Sequence, residues 1–329
     1  MAILLSRSDV ARLLDMKDVI EIMAGAFSDL AQGQVVLPQR TPITVPEHAG
    51  ISLTMPALIK GSGALGVKLV TVYGQNPSRY QLPTVLATIL LQDQTTGEVV
   101  AVMDGAYLTA IRTGAVSGLA TRLLAREDAK VHTVIGTGGM ARAQVWAVAC
   151  ARNIEKLMLY SVDPLDKRQA FLDSLKELVD CPMVLAVDPA QAVGEADVVT
   201  LMTNATTPVL DGRWVKPGTH INGIGAHTPK IRELDTLTVQ RAKVVCDLVD
   251  ACKSEAGDLI IPADQGEWSW DRACSLGDLV TGKVPGRQNP EEVTVFKSVG
   301  LAIQDISTAA YVYRKAVEKK VGLEFSFLD

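Results

Sequence analysis

Length, composition and charge set the first limits on this chain of 329 residues. The length fits about two domains of ~100 to 200 residues each, and a net charge of −5 with scattered Lys and Arg provides no basic face for nucleic acid or an anionic membrane. No segment reaches the ~18 uncharged apolar residues that a membrane span needs, and the apolar run at the start is too short for a signal peptide. Five cysteines without a CxxC pair, and four histidines without HxxxH or HExxH spacing, indicate reduced thiols in a cytoplasmic protein and no metal site.

The first third of the chain predicts a helix followed by strands. Residues 8 to 32 have helical spacing, with Ser8 and Asp9 as the expected N-cap and AQGQ as the stop signal. Strand-like runs then cover residues 51 to 103. The pair TVLATILLQD and EVVAVMD predicts a hairpin, because Gly97 supplies the positive φ that a tight turn requires. Residues 106 to 125 follow as a helix of small side chains.

From Lys130 onward the pattern alternates between strand and helix. Six apolar strands are expected at KVHTVIG, KLMLYSV, PMVLAVD, DVVTLMT, GTHINGIG and KVVCDLV. Helices are expected at ARAQVWAVACAR, PLDKRQAFLDSLKELV and PKIRELDTLTVQRA. Near-continuous apolar strands separated by helices predict a parallel sheet covered on both faces. The expected fold class is therefore α/β, with a doubly wound Rossmann domain and a smaller α+β domain.

The first turn of this second domain reads VIGTGGMARAQ, which has the form GxGxxA at Gly136, Gly138 and Ala141. Gly136 would make the tight turn, and Gly138 would let the backbone approach a pyrophosphate. Ala141 would let the helix pack on the strand, while the helix N-terminus stabilises the anion. Because the loop follows a strand and opens a helix, it predicts a dinucleotide site that also includes Gly139 and Met140.

The sequence leaves the preference between NAD and NADP open. An acid at the end of the second strand, ~20 residues on, would accept the ribose hydroxyls of NAD. The chain offers Ser161 there, with Asp163 two residues later. Ser161 with Lys167 or Arg168 could tolerate a 2′-phosphate, whereas Asp163 with Pro164 could also be an ordinary N-cap and first helical residue.

Over nearly its whole length the chain resembles the ornithine cyclodeaminase and μ-crystallin family. The matching stretches are PQR, SLTMPA, GVKLVT, LPTVLATILLQD, AIRTGA, IGTGGMA, PGTHINGIG and VFKSVGLAIQD. The resemblance implies a substrate-binding and dimerisation domain over residues 1 to 120, completed by residues 304 to 329. It also implies a Rossmann domain over residues 121 to 303 that binds NAD or NADP.

The family's substrate-carboxylate clamp falls on Arg40, Lys68 and Arg112 of this chain. A guanidinium fork holds a carboxylate bidentately, and a nearby ammonium adds charge and can move a proton. Without the resemblance, Arg40 could be a surface charge and Arg112 a helix-face ion pair, whereas Lys68 in an apolar strand would be costly unless paired or functional. The same carry-over implies nucleotide contacts at Thr113, Thr203, Lys297, Ser298 and Val299, and substrate-pocket walls at Met55 and Thr84.

The stretch INGIGAHTPKIREL, residues 221 to 234, places His227 in a glycine-rich turn between a buried strand and an expected helix. The corresponding turn of ornithine cyclodeaminases carries Asp, which is linked to handling the substrate's side-chain amine. An imidazole does not supply that negative charge, so the departure argues against ornithine cyclisation. His227 is expected either to deliver a proton, as an alternative to Lys68, or only to bond a backbone group at the helix entry.

The features common to the family suit hydride transfer at the α-carbon of a small amino or imino acid. We therefore expect an NAD(P)H-dependent reductase of a cyclic ketimine such as 1-pyrroline-2-carboxylate, or an alanine-type dehydrogenase. The alternatives are the deaminating cyclase and a μ-crystallin-like binding protein that retains a nucleotide site. A homodimer through the N-terminal domain is expected, because an antiparallel sheet needs a partner for any remaining apolar face.

Overall fold

A computed structural model describes residues 1 to 327 and divides the chain into two compact units. Unit 1 comprises Met1–Arg112 together with the chain from Leu301 onward, and unit 2 comprises Thr113–Gly300. The following elements precede residue 125: β1 (Ala2–Leu5), α1 (Arg7–Leu13), α2 (Met16–Ala31), β2 (Val35–Val36), β3 (Thr41–Val45), β4 (Gly50–Ile59), β5 (Ala64–Tyr73), α3 (Asn76–Arg79), β6 (Val85–Gln92), β7 (Val99–Asp104) and α4 (Gly105–Leu124).

The remaining elements begin at residue 131. They are β8 (Val131–Ile135), α5 (Ala141–Ala151), β9 (Lys156–Tyr160), α6 (Leu165–Leu175), β10 (Met183–Leu185), α7 (Pro189–Glu195), β11 (Val198–Leu201), β12 (His220–Gly223), α8 (Thr236–Arg241), β13 (Ala242–Cys246), α9 (Val249–Glu255), α10 (Gly257–Asp264), β14 (Ala273–Ser275), α11 (Leu276–Val280), β15 (Val293–Lys297), α12 (Ala302–Lys319) and β16 (Leu323–Phe325). The division into units falls inside α4, as does the boundary expected after residue 120.

Unit 1 is built on a mixed sheet in the order β16-β1-β7-β6-β5-β4-β2, with β3 paired to β4. The expected hairpin is present, since β6 and β7 pair antiparallel and Gly97 has a φ of +77°. Helix α12 packs on β4, β5 and α2. It therefore covers one face of this sheet with its apolar side chains.

The N-terminal helix differs from the expected one. The stretch from residue 8 to 32 forms two helices, because Asp15 caps α2 through the backbone N–H groups of Lys17 and Asp18. The first cap is also misplaced in the prediction: Ser6, not Ser8, caps α1 and forms a capping box with Asp9.

Unit 2 is built on a parallel sheet of eight strands in the order β10-β9-β8-β11-β12-β15-β13-β14. The chain leaves β8 in one direction to β9 and β10 and returns on the other side at β11, which makes a topological switch point at the carboxyl end of β8. All six predicted strands are present, together with β14 and β15. The doubly wound α/β fold class is confirmed.

The helix expected at PKIRELDTLTVQRA is wrong over its first half. Only Thr236–Arg241 is helical. This helix begins after Asp235, whose carboxylate caps it by accepting a hydrogen bond from Thr238 N. The preceding backbone is bound elsewhere, because the N–H groups of Glu233 and Leu234 donate to the buried carboxylate of Asp258. His227 therefore lies in a turn that does not enter a helix.

All five cysteines are free thiols, and three of them are only partly buried. Within residues 1 to 327 no helix is long and apolar enough to cross a membrane. The cytoplasmic location stays a prediction.

Candidate active site

Lys68 lies on the inner face of the unit 1 sheet because of the alternation along β5. Ala64, Gly66, Lys68 and Val70 are buried, while Leu69 between them is 51% exposed. The neighbouring strands place Met55 and Ile89 directly opposite Lys68, and both of these side chains are buried. An ammonium group among apolar side chains requires a buried partner of opposite charge.

That partner is Asp305, in the first turn of α12. Its Oδ2 lies 2.6 Å from Lys68 Nζ, and its Oδ1 accepts a hydrogen bond of 2.8 Å from Arg112 Nε. The Nη1 group of Arg112 also donates to the side-chain oxygen of Gln304. We call these four buried residues, Lys68, Arg112, Gln304 and Asp305, the Lys68 cluster.

The Lys68 cluster contains two cations and one carboxylate, so its charge is not balanced internally. Burial lowers the pKa of Lys68 to about 8, while Asp305 opposes this shift and Arg112 and Arg40 add to it. Excess positive charge in an apolar setting favours an anionic ligand, and a lysine that titrates near neutral pH is suited to proton transfer.

Three other residues of unit 1 are predicted to belong to the substrate pocket: Arg40, Met55 and Thr84. Arg40 is half-buried just before β3, and its charge is close enough to lower the pKa of Lys68. Met55 flanks Lys68 on the inner face. Thr84 precedes β6, and its carbonyl oxygen accepts a hydrogen bond from Tyr73 N. The position of the Thr84 side chain in a substrate pocket stays a prediction.

The glycine-rich loop of unit 2 shows two different reasons for its glycines. Gly136 has a φ of +101°, and a Cβ there would lie 2.4 Å from the carbonyl oxygen of Met202, so the fold itself requires glycine. A Cβ on Gly138 would meet nothing closer than 3.4 Å, and one on Gly139 would meet no atom within 4 Å. The protein leaves this space open beside the start of α5, as a pyrophosphate requires.

The rest of the loop forms the entry to α5. Met140 is the N-cap residue of the helix and Ala141 is its first, fully buried residue. Thr113 is buried in α4, where its carbonyl oxygen accepts a hydrogen bond from Ser117. The small side chains of α4 allow a close approach to α5, since a Cβ on Gly114 would lie 2.4 Å from the carbonyl oxygen of Ala143.

Asp163 is joined to this loop by hydrogen bonds. Its carboxylate accepts from Thr137 within the loop and, at 2.7 Å, from Ser161 Oγ at the end of β9. Lys167 pairs with the other oxygen, and these three bonds hold the pKa of Asp163 at about 2. The carboxylate is therefore charged at physiological pH and lies beside the loop, where an acid can accept ribose hydroxyls.

The other predicted nucleotide residues are held by buried carboxylates. Lys297 Nζ lies 2.7 Å from Asp258 and also donates to the carbonyl oxygen of Ala226. Glu233 accepts from the N–H and hydroxyl groups of Thr203, at 2.7 and 2.8 Å. We call Lys297, Asp258 and Glu233 the Lys297 cluster. It directs the Lys297 ammonium inward, so a nucleotide contact from this residue would have to come from its backbone.

The segment after β15 is fastened by a further buried acid, Asp247. One of its oxygens accepts from Ser298 Oγ at 2.8 Å, Val299 N at 2.9 Å and Gly300 N at 2.8 Å. Ser298 and Val299 are consequently fixed in position, as a preorganised binding segment requires. Their contact with a nucleotide stays a prediction.

His227 is exposed, and its Nδ1 lies 2.9 Å from the carbonyl oxygen of Gly225. This is the backbone contact that was one of its two expected roles. His227 belongs to unit 2, whereas the Lys68 cluster belongs to unit 1. The choice between Lys68 and His227 as proton donor stays a prediction.

The prediction missed Asp305 and Gln304, although both end the matching stretch VFKSVGLAIQD. Lys68 and Asp305 are 237 residues apart in the chain. The available signal was the strand lysine itself, because a buried ammonium predicts a carboxylate somewhere in the core.

Comparisons with known proteins identify the family of the chain. The model of the ornithine cyclodeaminase/mu-crystallin family matches residues 1 to 320. The chain is 38% identical over 327 residues to a Delta(1)-pyrroline-2-carboxylate reductase of Bacillus cereus, covering 99% of this chain and 100% of that protein.

Two solved structures are also similar. The Thermococcus litoralis Delta(1)-pyrroline-2-carboxylate reductase in complex with NADH and L-proline has a TM-score of 0.94 at 42% identity, covering 98% of this chain and 100% of that one. An archaeal alanine dehydrogenase dimer with bound NAD has a TM-score of 0.92 at 32% identity, covering 99% of each chain. Both of these solved structures contain a nicotinamide dinucleotide, NADH or NAD, which confirms the expected cofactor class. By sequence and by fold, the chain belongs to the ornithine cyclodeaminase/mu-crystallin family.

Proposed function

We propose that the protein is an NADH-dependent reductase of a small cyclic ketimine carboxylate, with 1-pyrroline-2-carboxylate as substrate and proline as product. The observation that carries the proposal is the Lys68 cluster, in which two buried cations share one carboxylate. Reductases of this substrate are also more similar to the chain, at 42% and 38% identity, than the archaeal alanine dehydrogenase at 32%.

The residues of the chain have separate tasks in this reaction. Arg112 and Arg40 bind the substrate carboxylate and so orient the planar ring, because a fixed guanidinium restricts the angle of a bound carboxylate. When bound, a reduced nicotinamide supplies the hydride that reduces the imine carbon. Lys68 gives one proton to the imine nitrogen and then regains a proton from water, so that hydride addition at carbon and this proton at nitrogen together turn the C=N bond into a C–N bond.

The residues at the glycine-rich loop support NADH over NADPH. Gly136, Gly138 and the N-terminus of α5 would hold the pyrophosphate. Asp163 would accept the ribose hydroxyls and repel a 2′-phosphate, since its pKa of about 2 keeps it negative. Substitution Asp163→Ala would leave Lys167 and Arg168 nearby, so its kcat/KM with NADPH should rise relative to NADH.

We also propose a two-fold homodimer through the outer face of the unit 1 sheet. The strand register places Ile43, Leu69 and Leu86 on this face, with exposed fractions of 61%, 51% and 38%. Several large apolar side chains exposed on one face of a sheet favour an interaction surface. Light scattering at micromolar concentration should give the mass of a dimer for the native chain and of a monomer for Leu69→Glu.

The substrate is tested by following NADH oxidation with a panel of compounds. We expect turnover with 1-pyrroline-2-carboxylate and proline as the product. Pyruvate with ammonia tests the alanine-type reaction, and ornithine, followed by ammonia release, tests the cyclase. Absence of turnover with every imino acid would reject the reductase and leave the binding protein.

A further inference from the structure

The carboxylate of Asp305 is the one acidic group in the Lys68 cluster. Its side chain is 0% exposed, and it uses one oxygen for each cation: Oδ2 for Lys68 Nζ at 2.6 Å and Oδ1 for Arg112 Nε at 2.8 Å. A change at this single position therefore alters both cations. Gln304, the remaining member of the cluster, has a hydrogen bond with Arg112 but none with Lys68 among the contacts that the structure describes.

A glycine, Gly66, lies two residues before Lys68 on the same buried face of β5. A Cβ on Gly66 would lie 2.4 Å from the carbonyl oxygen of Leu90 and 3.2 Å from Cδ1 of Ile306, the residue that follows Asp305. The close approach of the β6 backbone requires glycine here, and α12 packs on β5 at the same place through Ile306. The position of Asp305 also suits a helix N-terminus, where a carboxylate is stabilised by the backbone dipoles.

The charged groups that face Lys68 come from three elements. Asp305 from α12 raises the pKa of Lys68, whereas burial, Arg112 from α4 and Arg40 from the segment before β3 lower it. Without the Asp305 carboxylate, burial and both arginines would act together to favour the neutral amine. A neutral amine has no proton to give to an imine nitrogen.

Asp305 also limits how Arg112 can bind. Asp305 accepts from Nε and Gln304 accepts from Nη1. Asp305 and Gln304 therefore hold two of the three guanidinium nitrogens, which fixes the plane of the group. A guanidinium held in this way loses little freedom when a carboxylate binds.

We propose that Asp305 is a positioning residue of the reductase: it keeps Lys68 a charged proton donor and fixes the plane of the Arg112 guanidinium. This inference rests on the proposed function. The Asp305 carboxylate neither gives nor takes a proton in this step. The proton moves from the Lys68 ammonium to the imine nitrogen, the hydride comes from the reduced nucleotide, and Lys68 is reprotonated from water.

The test is the pH profile of full-length Asp305→Asn with 1-pyrroline-2-carboxylate and NADH. In the native protein we expect kcat to fall as the pH rises through the pKa of Lys68, near 8. In Asp305→Asn this fall should move to lower pH by at least about one unit. Activity at pH 8 should fall at least about fivefold from the loss of the protonated amine alone, and this loss should recover on acidification. A fall at the native pH, or a uniform loss at every pH in folded protein, would overturn the inference.

Two matched variants separate charge from structure. Gln304→Met removes the other contact of Arg112 without touching Lys68, so it should raise KM for the imino acid and leave the pH of the fall unchanged. Asp305→Glu keeps a carboxylate and should retain a fall close to the native pH, with a lower kcat. If Asp305→Asn does not fold, Asp305→Glu becomes the deciding variant. The inference would then be overturned if the pH at which its kcat falls differs from the native value by about one unit or more.

A measurement without turnover distinguishes failure of this inference from failure of the proposed function. NMR titration of labelled lysine can follow Lys68, assigned by its loss in Lys68→Met. The Lys68 resonance should titrate at lower pH in Asp305→Asn than in the native chain. An unchanged titration would overturn the role of Asp305, whereas absence of imino-acid turnover by the native chain would reject only the reductase.

Discussion

The Lys68 cluster of unit 1 and the Lys297 cluster of unit 2 are both buried ionic groups, but their charge balance is opposite. In the first, Lys68 and Arg112 share the single carboxylate of Asp305. In the second, Lys297 faces two carboxylates, Asp258 and Glu233. Both lysines come from apolar strands of the sequence, so strand position alone does not separate them.

The carboxylates of the Lys297 cluster accept hydrogen bonds from other groups of the protein. Glu233 accepts four hydrogen bonds, from the N–H and hydroxyl groups of Thr203 and from the N–H groups of Gly225 and Ala226. Asp258 accepts from two further N–H groups and pairs with Lys297. All of these bonds join turns within unit 2, which indicates a structural role. The first cluster has surplus positive charge instead, which is the property of a site for an anionic ligand.

The largest expected effect is on the free energy of unfolding when the lysine of each cluster is replaced. Lys297→Met would leave Asp258 and Glu233 buried without their cation, which should reduce the free energy of unfolding by about 3 to 5 kcal/mol. Lys68→Met should cost less, because Asp305 keeps its pair with Arg112. Urea denaturation of both variants measures the difference. Equal midpoints for Lys297→Met and the native chain would contradict the structural role.

The next effect concerns Arg112 and the shape of its side chain. Arg112→Lys keeps the charge but removes the planar fork that Asp305 and Gln304 hold. We expect kcat/KM for the imino acid to fall at least a hundredfold, on the order of 3 kcal/mol of transition-state stabilisation. Melting temperature and nucleotide affinity should change little. Full activity in this variant would make Arg112 a structural ion-pair residue.

The smallest effect tests whether unit 2 binds nucleotide at its glycine-rich loop rather than at the Lys297 cluster. Gly138→Ala meets no protein atom closer than 3.4 Å, so the fold should tolerate it. We expect the Kd for NADH to rise at least about tenfold, or ~1.4 kcal/mol, because the methyl group would occupy the pyrophosphate space. Gly194→Ala in α7 is the control, since a Cβ there would lie 3.7 Å from the nearest atom. Equal affinities of these two variants, measured by fluorescence titration, would place the pyrophosphate elsewhere.

Much of the fold could be predicted because strand and helix periods are local properties. The six parallel strands of unit 2 and the hairpin at Gly97 follow from apolar runs and one glycine. The segment before Thr236 could not be predicted in the same way, since its helical pattern is overridden by hydrogen bonds to the distant Asp258.

The site shows the same division between local and distant information. Lys68 is a charged residue within an apolar strand pattern, and Gly136 and Gly138 have the spacing of a dinucleotide-binding loop. Asp305 looks like an ordinary acid in the first turn of a helix, and only the packing of α12 on β5 gives it two cationic partners. The inward direction of Lys297 likewise depends on Asp258, which the pattern along β15 does not reveal.

The most direct test of the proposed chemistry is the kcat of Lys68→Met with 1-pyrroline-2-carboxylate at saturating NADH. We expect kcat to fall by ~10²- to 10⁴-fold, the usual contribution of a proton donor, while Kd for NADH and the melting temperature stay close to those of the native chain. That result would assign proton delivery to the Lys68 cluster. A folded Lys68→Met variant with the native kcat would contradict it.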